Sequence, residues 1–168
     1  MTPPPDWVMA LIYWLHMLAT VAWVGSLVAI SILVLPASAR TLKLPDRLTF
    51  IAAVQKRLEP IAWFSMGLLA VTGLFQMSLN PHYNGFLSIS TQWSLAMLVK
   101  HRLSLIMFVV SAILTWEVLP AIQRTLLQKN KAKEEELARL DRREVILLRT
   151  NVALSFLILL ATAVARIS

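Results

Sequence analysis

Leu98-Val99-Lys100-His101-Arg102-Leu103-Ser104 places three adjacent titratable residues inside an apolar run that extends from Trp93 to Pro120. Ionisable groups in a membrane-length segment are costly, so they face a cavity, a cofactor or one another rather than lipid. The natural partner of this stretch is His16, the only other histidine within an apolar run. His82, the third histidine, falls in a segment with turn composition.

Working outward, the remaining residues define the class. Of 168 residues 58% are hydrophobic and 15% charged, and the mean hydropathy is +0.68, which describes a small integral membrane protein. The absence of cysteine excludes disulfides, zinc-cysteine sites, iron-sulfur clusters and covalently attached c-type haem. The net charge of +7 lies largely in the segments between apolar spans, where it reports topology and not nucleic-acid binding.

Four apolar spans are expected, at about 7–36, 61–79, 93–120 and 145–165, in a single transmembrane domain over 1–168. The first has His16 as its sole histidine and no Lys, Arg, Asp or Glu between Trp7 and Pro36, and Met1 to Asp6 lacks the basic start of a cleavable signal peptide. Ala22, Gly25, Ser26 and Ala29 in the first span, and Gly67, Ala70 and Gly73 in the second, supply small residues suited to close helix packing. Basic residues gather in 37–60 and 121–144, which places both segments in the cytoplasm and both termini outside. The stretch 121–144 reads as a charged helical extension with a solvated face, a Glu135–Arg139 ion pair and a sparse apolar side of Leu126, Leu137 and Leu140. The expected fold is an all-α, four-helix, up-down membrane bundle.

A short repeat suggests two helical hairpins in parallel. Val34-Leu35-Pro36-Ala37 recurs as Val118-Leu119-Pro120-Ala121, with Arg40 and Arg124 four residues after each proline. Measured back from those prolines, His16, Lys100 and His101 lie at one depth, near the outer boundary, because about 20 helical residues cover a hydrocarbon core of roughly 30 Å.

Two imidazoles facing across the diagonal of a bundle leave about the space of a six-coordinate iron in a flat macrocycle. This reading makes His16 and His101 axial ligands of a b-type haem, with Lys100 and Arg102 meeting its propionates. The activity it implies is single-electron transfer near the outer face, between a membrane quinol or partner subunit and an external acceptor, and any enzyme activity is that of a haem-dependent oxidoreductase. A rival reading is copper, because thioether and imidazole ligands suit Cu(I), and Met17 and Met97 stand beside His16 and His101. The bland reading of the same residues is an interfacial belt of snorkelling cations and a hydrogen-bonded core histidine.

Trp14-Leu15-His16-Met17-Leu18 followed by Ala22-Trp23-Val24-Gly25-Ser26 resembles the opening of the copper-resistance protein D family. The likeness continues through Lys56-Arg57-Leu58, Thr72-Gly73-Leu74 and Leu98-Val99-Lys100. These elements are also similar to HemJ-type protoporphyrinogen oxidases of the same broad superfamily. The first resemblance implies copper binding or uptake. The second implies a tetrapyrrole site, with His16 and Lys100 as the functional pair. Gly25-Ser26 departs from the two glycines of the pattern, and His101 beside Lys100 belongs to neither branch. The resemblance implies a bilayer setting, the plasma (inner) membrane of a bacterium, and leaves assembly as a homo-oligomer open.

Overall fold

The computed structural model describes residues 4–81, 83, 85, 89, 91–128 and 133–167. His82 lies outside the described residues. Four long helices form an all-helical bundle, α1 (Asp6–Thr41), α2 (Leu44–Ser78), α3 (Gln92–Leu127) and α4 (Lys133–Ile167). All four are long and apolar enough to cross a membrane. At 1.5 Å per residue a helix of 35 residues is roughly 52 Å long, against about 30 Å of hydrocarbon. The excess stands in water at the end that carries the basic segments.

The principal pairings are α1 with α2 and α3 with α4, so the chain is two helical hairpins packed side by side. The repeat seen in the sequence has a structural counterpart. α1 widens into a π-helical turn over Ala29–Val34 and resumes as α-helix at Leu35, while α3 does the same over Leu114–Val118 and resumes at Leu119. The N–H groups of Leu35 and Leu119 reach back five residues, to the carbonyls of Ile30 and Leu114. Pro36 and Pro120 follow immediately. A proline has no N–H and its ring collides with the carbonyl four residues back, so a wider turn relieves the collision without breaking the helix.

Pro60 meets a different solution. The polar segment 37–60 was expected to be a connection, yet only the break around Leu42 and Lys43 separates α1 from α2, and α2 runs through Pro60. Pro60 is exposed near the basic end, where water can satisfy the carbonyl that its missing N–H leaves unbonded. At the other end, α3 begins with a reciprocal cap. Thr91 Oγ1 accepts from the Ser94 N–H at 3.1 Å, and Ser94 Oγ accepts from the Thr91 N–H at 3.2 Å. Gly85 in the preceding connection has φ +107°, a backbone conformation that side chains disfavour.

Three of the sequence expectations are corrected here. The small residues at 25 and 67 do not line a close crossing, since a Cβ at either would meet open space. The apolar side of 121–144 is not sparse cover on a solvated helix. Leu137 is fully buried and Leu140 nearly so, packed with Leu48, Ile51 and Ile122 into an apolar core under the basic end. The Glu135–Arg139 pair is not formed. Among the described residues the ion pairs run between helices instead, Arg47 to Asp141 and Arg143 to Glu117.

Along the buried face of α4, polar groups alternate with leucine. Glu144, Asn151 and Ser155 are almost fully buried beside Leu148 and Leu154. Glu144 Oε1 accepts from Gln55 Nε2 of α2 at 2.5 Å, and Asn151 Nδ2 donates to Ser111 Oγ of α3 at 3.0 Å. Ser155 Oγ approaches Met107 Sδ at 3.8 Å while donating to the Asn151 carbonyl. Glu144 sits just before the fourth apolar run. Burial pushes its carboxyl up from 4.5 to about 7, against the opposing effects of the Gln55 hydrogen bond and the Arg47 charge.

Two measurements check this packing. Leu137→Ala should lower the unfolding free energy by roughly 2–5 kcal/mol, whereas Phe64→Ala, 72% exposed on the lipid-facing surface, should leave thermal unfolding in detergent almost unchanged. Between about pH 4.5 and 7 the native chain holds a proton on Glu144 that the unfolded chain releases. Stability should therefore be greatest below the ordinary carboxyl value and fall as pH rises to 7, by up to roughly 3 kcal/mol. Glu144→Gln should abolish that slope in unfolding curves recorded across the same range.

Candidate functional site

His16 lies in the first third of the apolar run of α1, toward the end away from the basic segments, and turns toward α2. Its Nδ1 is 2.8 Å from Thr72 Oγ1. The Thr72 hydroxyl is committed as a donor to the Leu68 carbonyl, at 2.6 Å, so it accepts from His16 Nδ1–H. The tautomer follows from this, with the imidazole lone pair on Nε2. The neighbouring Gly73 makes room for the ring, because a Cβ there would stand 3.4 Å from His16 Cε1. Thr20 Oγ1 closes the turn below by donating to the His16 carbonyl.

His101 is fixed differently. Its Nδ1 lies 2.6 Å from the carbonyl of Met97, one turn earlier on α3. A carbonyl only accepts, so here too the proton is on Nδ1 and the lone pair on Nε2. Lys100 is half-buried and within electrostatic reach of the His16 ring. The structure thus draws His16, Thr72 and Lys100 together across three helices. Met97 is half-buried, whereas Met17 is two-thirds exposed and Arg102 is exposed, both on the outer surface of the bundle.

Thr72 and Gly73 are the neighbours of the His16 ring that pattern reading did not pair with it. A threonine beside a glycine in an uncharged span was the available signal, but its meaning depends on which residue of α1 stands opposite. Among the aromatic residues, Trp14 and Phe64 face outward and Trp23 is core. Trp63 stacks on Trp116 at 5.1 Å and meets Phe108 edge-on at 5.2 Å, forming the seam between α2 and α3. Among the described residues no three of His, Cys, Asp and Glu gather in a way that could hold a metal ion.

The fold and site together define a four-helix integral membrane protein with two tautomer-fixed histidines and a lysine at the end opposite the basic segments. A family model described as copper resistance protein D matches residues 52–165, and the chain belongs to that family. No curated protein and no solved structure matches the chain.

Removing the Thr72 hydroxyl should free the imidazole. In Thr72→Val, the ring-nitrogen NMR shifts of His16 should change from a single Nδ1–H tautomer to a mixture, while those of His101 stay as they were. A wild-type His16 already in tautomeric exchange would show that the Thr72 contact does not orient it.

Proposed function

We propose that the protein handles copper, binding Cu(I) transiently at the histidine end of the bundle. The observation that carries this reading is that both histidines of the apolar runs have Nδ1 engaged by an oxygen, which leaves the coordinating lone pair on Nε2 in each. Membership of the copper resistance protein D family supports it. The donors are His16 Nε2, His101 Nε2 and the Met97 thioether, a soft set without carboxylates, which suits Cu(I) over harder ions. Met17, turned to the outer surface, is left out of this set.

Lys100 sets the character of the site. An ammonium near His16 opposes the accumulation of a second cation, so copper is held weakly and released readily, as a passage requires. In this proposal the protein resides in the plasma membrane of a bacterium, with the basic end in the cytoplasm and the histidine end outside. Copper therefore meets the site from the external side.

A tetrapyrrole is the second reading, and the placement of Lys100 favours it. The same ammonium that repels a bare metal ion attracts the carboxylates of a haem b or a porphyrinogen, and His16 with Lys100 is the pair matched by the HemJ-type resemblance. His16 and His101 would hold a haem iron, with Lys100 and Arg102 toward its carboxylates.

Metal analysis and an optical spectrum of the purified full chain separate the two. The expected result is a colourless protein that retains Cu(I), with binding abolished in His16→Ala and weakened about 10- to 100-fold in Thr72→Val. A red preparation whose main absorption band shifts on reduction would transfer the proposal to the tetrapyrrole, and a protein that keeps neither ligand would overturn both.

A further inference from the structure

Deeper in the bundle, toward the basic end, a cavity of about 60 Å3 lies among all four helices. That is room for a few water molecules. Its wall includes both π-helical segments, through Ile30 of α1 and Leu114 and Thr115 of α3. π-Helical turns inside α-helices recur at functional sites. Here they bow two helices beside the same space.

The wall of the cavity is mostly apolar, interrupted by a few polar side chains. Gln55, Glu59, Ser111, Thr115 and Asn151 contribute to the lining. Asn151 is fully buried, and its Oδ1 has no hydrogen-bond partner although its Nδ2 is satisfied by Ser111. An unbonded amide oxygen in a membrane span is expensive, and a water molecule in the adjoining space would satisfy it. Glu144, two helical turns from Asn151 on the same face, is 1% exposed and also has one unpartnered oxygen, Oε2. Gln55 joins the two places, since it lines the cavity and donates to Glu144 Oε1.

We propose that Glu144, Gln55 and Asn151, with the cavity they adjoin, form a proton-binding site loaded through water held in the middle of the bundle. Glu144 stands behind Gln55 and not on the cavity wall itself, so the step runs through water that reaches past Gln55: a hydronium there gives its proton to the Glu144 carboxylate, leaving water and a neutral carboxylic acid, and the reverse step returns it. The titratable and charged groups around it are few. From α2 come Arg47, already bound to Asp141 of α4, and Glu59 on the cavity wall. From α3 comes Glu117, bound to Arg143 at the exposed surface. The burial that raises the Glu144 carboxyl to about 7 supports a group that exchanges protons near neutrality. The site is independent of the metal proposed at the histidine end.

Infrared spectroscopy of the full chain in lipid tests this directly. The carbonyl-stretch band of a neutral carboxylic acid should grow as pH falls through about 7, persist in Glu59→Gln and vanish in Glu144→Gln. On transfer to heavy water the band should shift quickly in the wild type. Asn151→Leu and Thr115→Ile each replace cavity water with side chain, and either should slow that shift by more than about tenfold. Two variants on different helices keep the test available if one fails to fold. Absence of the band near neutrality, its survival in Glu144→Gln, or unaltered exchange in a folded cavity variant would each overturn the proposal, leaving the buried polar groups as helix-packing contacts only.

Discussion

Inside a bilayer each backbone N–H and C=O must be bonded within the protein, and a proline in a spanning helix removes one donor and pushes one acceptor aside. α1 and α3 absorb that defect in the same way, by one π-helical segment ahead of Pro36 and of Pro120. Much of the molecule follows from this constraint. The paired π turns keep the two hairpins equivalent, preserve the common depth of His16 and Lys100 measured from the prolines, and frame the water-sized space between the helices.

The second organising feature is the polar stripe of α4. Lipid tails are as apolar as leucine, so the spans do not associate through expulsion of water from between them, but through packing and hydrogen bonds. Gln55–Glu144 joins α4 to α2, and Asn151–Ser111 joins it to α3. These contacts explain why an otherwise apolar helix carries Glu144, Asn151 and Ser155 on its most buried face. They also leave two oxygen atoms unpaired, and a structure retains such a cost more readily where it serves a purpose.

The fold was legible because hydropathy and length act locally. Four apolar runs, two basic segments and the repeated Val-Leu-Pro-Ala were sufficient to predict four helices and two hairpins. The helix lengths were not, because charge and Pro60 looked like interruptions, whereas an exposed proline near water interrupts little. The site was legible in part. His16 and Lys100 stand out in any apolar run, but Thr72 and Gly73 acquire meaning only from the register of α1 on α2, which no local pattern encodes. The same holds for Glu144, which in sequence belongs to a run of charged residues and in space belongs to the core.

The bundle is longer than the bilayer is thick, and the surplus lies at one end. Leu48, Ile51, Ile122 and Leu137 in that projecting part are packed away from water, while the middle of the bundle is surrounded by hydrocarbon. The two portions are consequently held together by different physics. Cohesion of the projecting cap weakens on cooling and in urea, as any water-driven core does, whereas the lipid-embedded portion has no such dependence to lose. A single continuous helix therefore runs through two solvents, and cold would loosen its wet end first.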